Sequence, residues 1–448
     1  MRGNLDRTEF VLDVLTPIVP SDVASDADNK WTDADVVDAH AYAGWYYDYL
    51  YKRFGRNGLD NNNLRMPVFV HPVRIEDIGK QPLDVIGLFY LNAFSCGTCG
   101  PNGRGAIVLG EGAPNGTYYR GIDVKPFSAA LDVVAHELTH QVTSNTARLN
   151  GFPYSEAGAL NEGFSDIFGV STAFFFLPPG NGPMQASYFQ GKDLTVPSGL
   201  FGRSMANPRA TGDPDHYSQR ILGYDSHYNS TILSHAFYLA IEGGTNRTSG
   251  LNVEGVGAAN REQIEKVFFR ALTALLPSSA TYALARDTTI QAARDLYGAG
   301  STVERAVTQA WNAVGVQDRI GPTATALPSP AVATTNSCSG YTPSWSLGLT
   351  VSAGNSNLSI VQWVYDVFDS TGANIEHAVL SPASFASFFN SCGPASSRIV
   401  AQSDACAAIC TEIRGKTSGA VQNTFTAIDG SGQTVTFATD RVVLAPVQ

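Results

Sequence analysis

The stretch DVVAHELTHQV, residues 132–142, leaves the chain around it few ways to fold. His136 and His140 stand four apart, so on a helix they differ by about 40° and project from one face. Leu131, Val134, Ala135, Leu138 and Val142 make up the opposite side. Such a helix buries one face in a core and turns the other toward a cleft. With Glu137 between the two histidines, the polar face reads as part of a metal site more readily than as solvated helix surface. Zinc held by neutral imidazoles lowers the pKa of a bound water to about 7, and a carboxylate beside that water can take its proton.

A catalytic zinc takes three protein ligands and keeps a fourth position open, so two histidines are not sufficient. One known arrangement adds a histidine six positions after His140 with a glycine midway, but Thr143 and Thr146 occupy those positions and exclude it. The stretch AGALNEGFSDIFG, residues 157–169, offers another solution. Leu160, Phe164, Ile167 and Phe168 set an apolar helical stripe, while Glu162 and Asp166 lie four apart on another face. Glu162 can complete the metal site, and Asp166 can accept the free imidazole N–H of His136.

Charge and composition narrow the partners. A formal net charge of -11 lacks the basic footprint that nucleic acid or an anionic membrane requires. No run approaches the roughly 18 apolar residues of a membrane span; IFGVSTAFFFL, 167–177, comes closest and reads as a buried helix end. Only 15% of the 448 residues are charged, and Asn, Ser, Thr and Gly are plentiful, a balance that leans toward the outside of cells. The first twenty residues include Asp6, Arg7, Glu9 and Asp13 and therefore hold no signal-peptide core. A secreted protein would begin, in this sequence, downstream of its targeting and pro-segments. Six cysteines suggest disulfides and an oxidising compartment. CGTC, 96–99, has dithiol-oxidoreductase spacing, but GPNGRG follows it where that chemistry needs a helix.

The organisation changes along the chain. Residues 33–53 read as a helix whose aromatic stripe is core, and MPVFVHPV, DVIGLFYLNAF and GAIVLGEG read as short strands. From about residue 130 the pattern is helical, with period-3.6 stripes in QIEKVFFRALTALLP and TVERAVTQAWNAVGV. Residues 319–336, RIGPTATALPSPAVATTN, have the composition of a linker. Beyond it, SWSLGLTV alternates and TFTAIDGSGQTVTF predicts a hairpin turning at Asp429 to Gly432, so 337–448 is expected to be a β-sandwich accessory domain.

Four stretches in order, DVVAHELTHQVT, EAGALNEGFSDIFG, RSMANPRATGDPDHYS and HYNSTILSHAFYLA, resemble the thermolysin family of zinc endopeptidases, and the similarity runs from about residue 26 to 316. The resemblance implies an α+β fold of two lobes, β-rich over 1–130 and helical over 131–318, with the HELTH helix between them. It implies one catalytic zinc on His136, His140 and Glu162, Glu137 as general base, and Asp166 as the partner of His136. His227 matches a histidine that hydrogen-bonds the oxyanion, and Arg203 an arginine that binds a substrate carbonyl. Asn92 and Ala93 match a strand edge against which peptide is laid. Phe127, Val133 and Leu194 match the lining of the pocket for the residue after the scissile bond, which implies an apolar preference there. The implied activity is that of a secreted, monomeric neutral endopeptidase acting on polypeptides. The alternative is a zinc-containing binding or adhesion protein, weakly catalytic or inactive, on the same scaffold.

The chain also departs from the family. Pro153 falls where the family's oxyanion tyrosine stands, and Tyr154, one position on, is expected to take that role. Of the carboxylates that hold the family's paired calcium ions only Asp132 remains, with Ala173 and Lys192 at two other positions. That site is expected to be absent, with Lys192 paired to Asp132 in its place. Asp26 and Asp28 match another calcium loop and can hold one ion. Gly202 replaces a leucine of the specificity pocket, so the pocket is expected to be wider or differently shaped. Cys96 and Cys99 are expected to close a small disulfide loop beside the substrate strand.

Overall fold

The computed structural model describes residues 24, 27–28, 30–72, 87–97, 105–113, 119–149, 155–221, 224–278, 280–316, 321–329, 331–334, 344–354, 356–401, 403–413, 417–430 and 432–446. Helix α1, Ala34–Phe54, starts at Asp33, whose carboxylate accepts from the Val36 N–H, and stops at Gly55 in the left-handed region. Its stripe of Tyr42, Tyr46 and Tyr49 is buried, as the periodicity predicts. The Tyr46 and Thr139 hydroxyls lie 2.8 Å apart, which ties α1 to the HELTH helix.

Three short strands follow: β1 (Val68–Val70), β2 (Ala93–Cys96) and β3 (Ala106–Leu109). β3 is central, parallel to β1 and antiparallel to β2, and all four of its residues are buried. Residues 87–89, inside the run expected to be strand, form a helical turn instead. Phe89 and Tyr90 still reach the core beside Phe69 and Val108, so a short apolar run satisfied its burial without extending. β4 (Asp123–Val124), β5 (Phe189–Gln190), β6 (Thr195–Val196) and β7 (Arg203–Ser204) form two short antiparallel pairs, β4 with β6 and β5 with β7.

The helical part consists of α2 (Leu131–Ser144), α3 (Glu156–Phe176), α4 (Ser226–Glu242), α5 (Arg261–Arg270), α6 (Tyr282–Tyr297) and α7 (Thr302–Ala313); β8 (Gly244–Thr245) and β9 (Asn252–Val253) pair between α4 and α5. One hydrophobic cluster runs from Ala39 to Val316, through Val134 and Leu138 of α2, Phe164 and Phe168 of α3, Phe237 of α4 and Trp311 of α7. Each fully buried side chain of this size contributes about 1.5–3 kcal/mol.

Two glycines of α3 set the spacing of the three helices that matter most. A Cβ on Gly163 would meet the Ser230 carbonyl oxygen of α4 at 2.9 Å, and one on Gly169 would meet the Asp132 carbonyl oxygen of α2 at 2.4 Å. Backbone therefore approaches backbone on both sides of α3. Among the described residues, no helix is long and apolar enough to cross a membrane.

A second hydrophobic cluster spans Ala324 to Leu444. Its elements are β10 (Thr323–Leu327), β11 (Ala333–Thr334), β12 (Ser344–Ser352), β13 (Leu358–Asp369), β14 (Asn374–Leu380), α8 (Pro382–Phe388), β15 (Arg398–Ile399), β16 (Asp404–Glu412), β17 (Gly419–Asp429), β18 (Thr434–Ala438) and β19 (Val442–Leu444). β10, β11, β12 and β16 form one antiparallel sheet and the remaining strands another. Trp345, Leu347, Leu349 and Val351 alternate inward from β12 to meet Trp363 and Phe425 of the second sheet. The β17–β18 hairpin closes where Gly432 N–H donates to the Asp429 carbonyl at 3.0 Å. Cys392 and Cys406 are disulfide-bonded, as are Cys96 and Cys410 to partners outside the described residues.

Part of the segment read as linker is strand. Thr323–Leu327 pairs antiparallel with β12, Ala324 opposite Val351, and Ala324 and Ala326 face the core. The alternation is present in the sequence, but its inward residues are alanines, too small to register as a hydrophobic pattern.

Candidate metal centre and substrate cleft

α2 places His136 and His140 one turn apart, their rings nearly perpendicular at 85° and their Nε2 atoms 3.1 Å apart. From α3, Glu162 Oε2 lies 3.3 Å from His136 Nε2 and 3.7 Å from His140 Nε2. From the first turn of α4, His227 Nε2 lies 3.2 Å from the same oxygen. Yet Glu162 Oε2 is buried and makes no hydrogen bond among the described residues. Three imidazole nitrogens thus surround an unsatisfied carboxylate oxygen, an arrangement that a shared cation resolves.

The far side of each ring settles which atoms face inward. His136 Nδ1 lies 2.9 Å from Asp166 Oδ1, and His140 Nδ1 lies 3.1 Å from both Asn161 Oδ1 and Ser165 Oγ. An N–H on Nδ1, facing these oxygens, leaves the Nε2 lone pairs directed at the centre. Two imidazole nitrogens and one carboxylate oxygen, each within 4.8 Å of the others, fit zinc.

Asp166 is fully buried and gripped by Arg203, with Nε 2.7 Å from Oδ2 and Nη2 2.6 Å from Oδ1. Burial alone would raise the Asp166 carboxyl; the Arg203 guanidinium, with His136, overrides it and holds the group at about 2. Glu137 is buried on the cleft wall, where desolvation pushes its carboxyl above the usual range against the pull of His136 and His140. His227, half-exposed, has Nδ1 2.7 Å from Asp225 Oδ1, the same oxygen that accepts its backbone N–H as the α4 cap.

A cavity of about 310 Å³ opens beside these groups. Its wall includes His136, Glu137 and His227 together with all six residues named for substrate contact, Asn92, Ala93, Phe127, Val133, Leu194 and Arg203. Residues far apart in sequence therefore meet in one cleft. Tyr154 and Asp26 lie outside the described residues. Asp28 is exposed, 3.4 Å from Lys30 Nζ.

One expectation is corrected. Lys192 does not pair with Asp132: its ammonium donates to the Gly182 carbonyl at 2.6 Å and lies 3.2 Å from Asp193 Oδ1. The tight turn Lys192–Leu194 sets the adjacent carboxylate beside the ammonium, while the Asp132 carboxylate accepts the backbone N–H groups of Gly191 and Val133.

Sequence reasoning passed over Asp225, Asn161 and Ser165. Asp225 carried a legible signal, an acidic residue just ahead of a helical run. Asn161 and Ser165 carried none, because their partner His140 belongs to another helix.

A model of the thermolysin metallopeptidase catalytic domain matches residues 6–144, and one of the thermolysin metallopeptidase alpha-helical domain matches residues 151–316. The thermostable neutral protease NprT of Geobacillus stearothermophilus is 37% identical over 310 residues, 67% of this chain and 49% of that protein. Thermolysin of Alicyclobacillus acidocaldarius subsp. acidocaldarius matches with the same identity and coverage, so the chain spans about half the length of these curated relatives. The solved precursor of protealysin, a metalloproteinase from Serratia proteamaculans, shares 29% identity over 65% of this chain and 81% of its own, with a TM-score of 0.47. With the two family models together matching most of the chain, residues 6–144 and 151–316, the chain belongs to the thermolysin family of metallopeptidases.

Proposed function

We propose that the chain is a secreted, zinc-dependent neutral endopeptidase. The observation that carries this reading is the buried, unsatisfied Glu162 Oε2 ringed by His136, His140 and His227, of which His136 and His227 line the adjoining cleft. Zinc, when bound, polarises the scissile carbonyl and acidifies water.

The chain's own residues do the rest. His136, His140 and Glu162 hold the ion, and Asp166, Asn161 and Ser165 keep the rings turned toward it. Glu137 takes a proton from the attacking water and passes it to the leaving amine, a transfer worth about 10²–10⁴-fold. Asp225 accepts from Nδ1 of His227, so that a protonated ring presents Nε2–H to the developing oxyanion. Arg203 has Nε and Nη2 committed to Asp166, which leaves the rest of its fork for a substrate carbonyl. β2, an outer strand of its sheet, offers Ala93, with Asn92 just ahead of it, for main-chain pairing that is indifferent to substrate sequence.

Disulfides at Cys96, Cys392, Cys406 and Cys410 support an oxidising, extracellular setting. The proposed organisation is a peptidase of two lobes, 1–130 and 131–318, acting as a monomer, with a structural or targeting β-module whose first strand is β10. No paired calcium site is proposed; the 26–28 loop is left as a place for one ion. Metal analysis with casein hydrolysis, before and after a zinc chelator, tests the reading. One zinc per chain and loss of hydrolysis on chelation are expected, and full activity without zinc contradicts it.

A further inference from the structure

The apolar end of the cleft has a mouth made of two rings. Val133 and Leu194 are buried at its base, whereas Tyr119 and Phe201 are 42% and 37% exposed, their centroids 4.9 Å apart and their planes tilted by 50°. Gly202 also lines the wall. Gly202 sits at φ 135°, and a Cβ there would come 2.1 Å from the Gln190 carbonyl oxygen and 2.8 Å from Phe189 Cε1. The loop joining β6 to β7 can lie this close to β5 only because residue 202 has no side chain. It is pinned again upstream, where Gly199 N–H donates to the Lys192 carbonyl and Leu200 N–H to Thr195 Oγ1. Phe201 is therefore held in place before any substrate arrives.

The geometry points to Tyr119 and Phe201 as specificity-determining residues that favour an aromatic side chain, over a branched aliphatic one, immediately after the scissile bond. This rests on the endopeptidase reading, which assigns the pocket of Phe127, Val133 and Leu194 to that residue. A branched aliphatic chain filling the cavity gains from buried area alone. An aromatic ring gains the same area and packs at a tilt against two rings that are already paired. The advantage expected from such a contact is about two- to thirteenfold.

The test uses the full chain and three peptides that differ only after the scissile bond, with Phe, Leu or Ala. kcat/KM is measured for the unaltered protein, and Kd for the same peptides is measured by calorimetry on Glu137→Gln, which should bind without cleaving. The Phe peptide should lead in both. Phe201→Ala and Tyr119→Ala should each weaken it by about two- to thirteenfold while leaving the Ala peptide unchanged. Both residues are partly exposed, so the variants should fold. The inference is overturned if Leu equals or exceeds Phe, or if the variants weaken all three peptides alike. Absence of any hydrolysis would sink the endopeptidase reading instead, and the Kd order would still decide the pocket.

Discussion

Arg203 grips Asp166 through two parallel contacts of 2.7 and 2.6 Å, and the same carboxylate faces His136 Nδ1 at 2.9 Å. One buried anion therefore orients a proposed metal ligand and a residue of the cleft wall together. Substrate binding and metal affinity should be coupled through it.

Asp166→Asn removes the charge while keeping the shape. Zinc affinity should fall about 10- to 100-fold, because His136 loses the partner that fixes its tautomer. KM should rise in parallel, because Arg203 loses its anchor. Competition against a chromophoric chelator reads the first effect and peptide kinetics the second; a variant altered in neither would remove Asp166 from the account.

Gly163→Ala tests whether close helix packing positions the site. The added methyl meets the Ser230 carbonyl oxygen at 2.9 Å and Leu233 Cδ2 at the same distance, so α3 and α4 must separate. Overpacking of this kind costs about 1–3 kcal/mol, visible as a lower denaturation midpoint. Activity should fall further than stability accounts for, since Glu162 and His227 ride on those two helices. Unchanged kinetics at a temperature where the variant is fully folded would argue that their spacing is unimportant.

His71 makes stability depend on alkaline pH. Its Nδ1 lies 2.7 Å from Glu111 Oε1 and its Nε2 3.0 Å from Asp33 Oδ1, with Asp35 Oδ2 at 3.6 Å. The hydrogen bond to Glu111, against burial and together with Asp33, raises the ring's pKa from 6.5 to about 9. A raised folded-state value means that the imidazolium's contribution is complete below about pH 6.5 and is lost as the pH climbs through about 9. The loss should be on the order of 3 kcal/mol, centred where Asp33 caps α1. Urea midpoints across that window should decline for the unaltered protein and stay flat for His71→Gln. Parallel declines would place the titration elsewhere.

The site was more legible than the fold around it, for physical reasons. HELTH and NEGFSD announce themselves because ligand spacing and helix period coincide within one short stretch. The stripes of α1, α5 and α7 were equally plain, since large apolar residues recur every 3.6 positions. β10 was hidden by its alanines, and residues 87–89 by the helix–strand ambiguity of a short apolar run. The His71 cluster joins His71, the Asp33–Asp35 helix start and Glu111 from three separate segments, so no local pattern foretells it. Lys192 shows the opposite error: its charge was read correctly, but a tight turn supplied a nearer carboxylate than the one a resemblance suggested.

The most direct test of the central claim is the pairing of zinc content with proteolysis in Glu137→Gln. The ligands His136, His140 and Glu162 are untouched, so the variant should carry one zinc per chain and fold normally. Casein hydrolysis should drop by at least about 10²-fold, the share of a general base. A variant that keeps its zinc and its full activity would contradict the assignment of Glu137 and with it the mechanism proposed for this cleft.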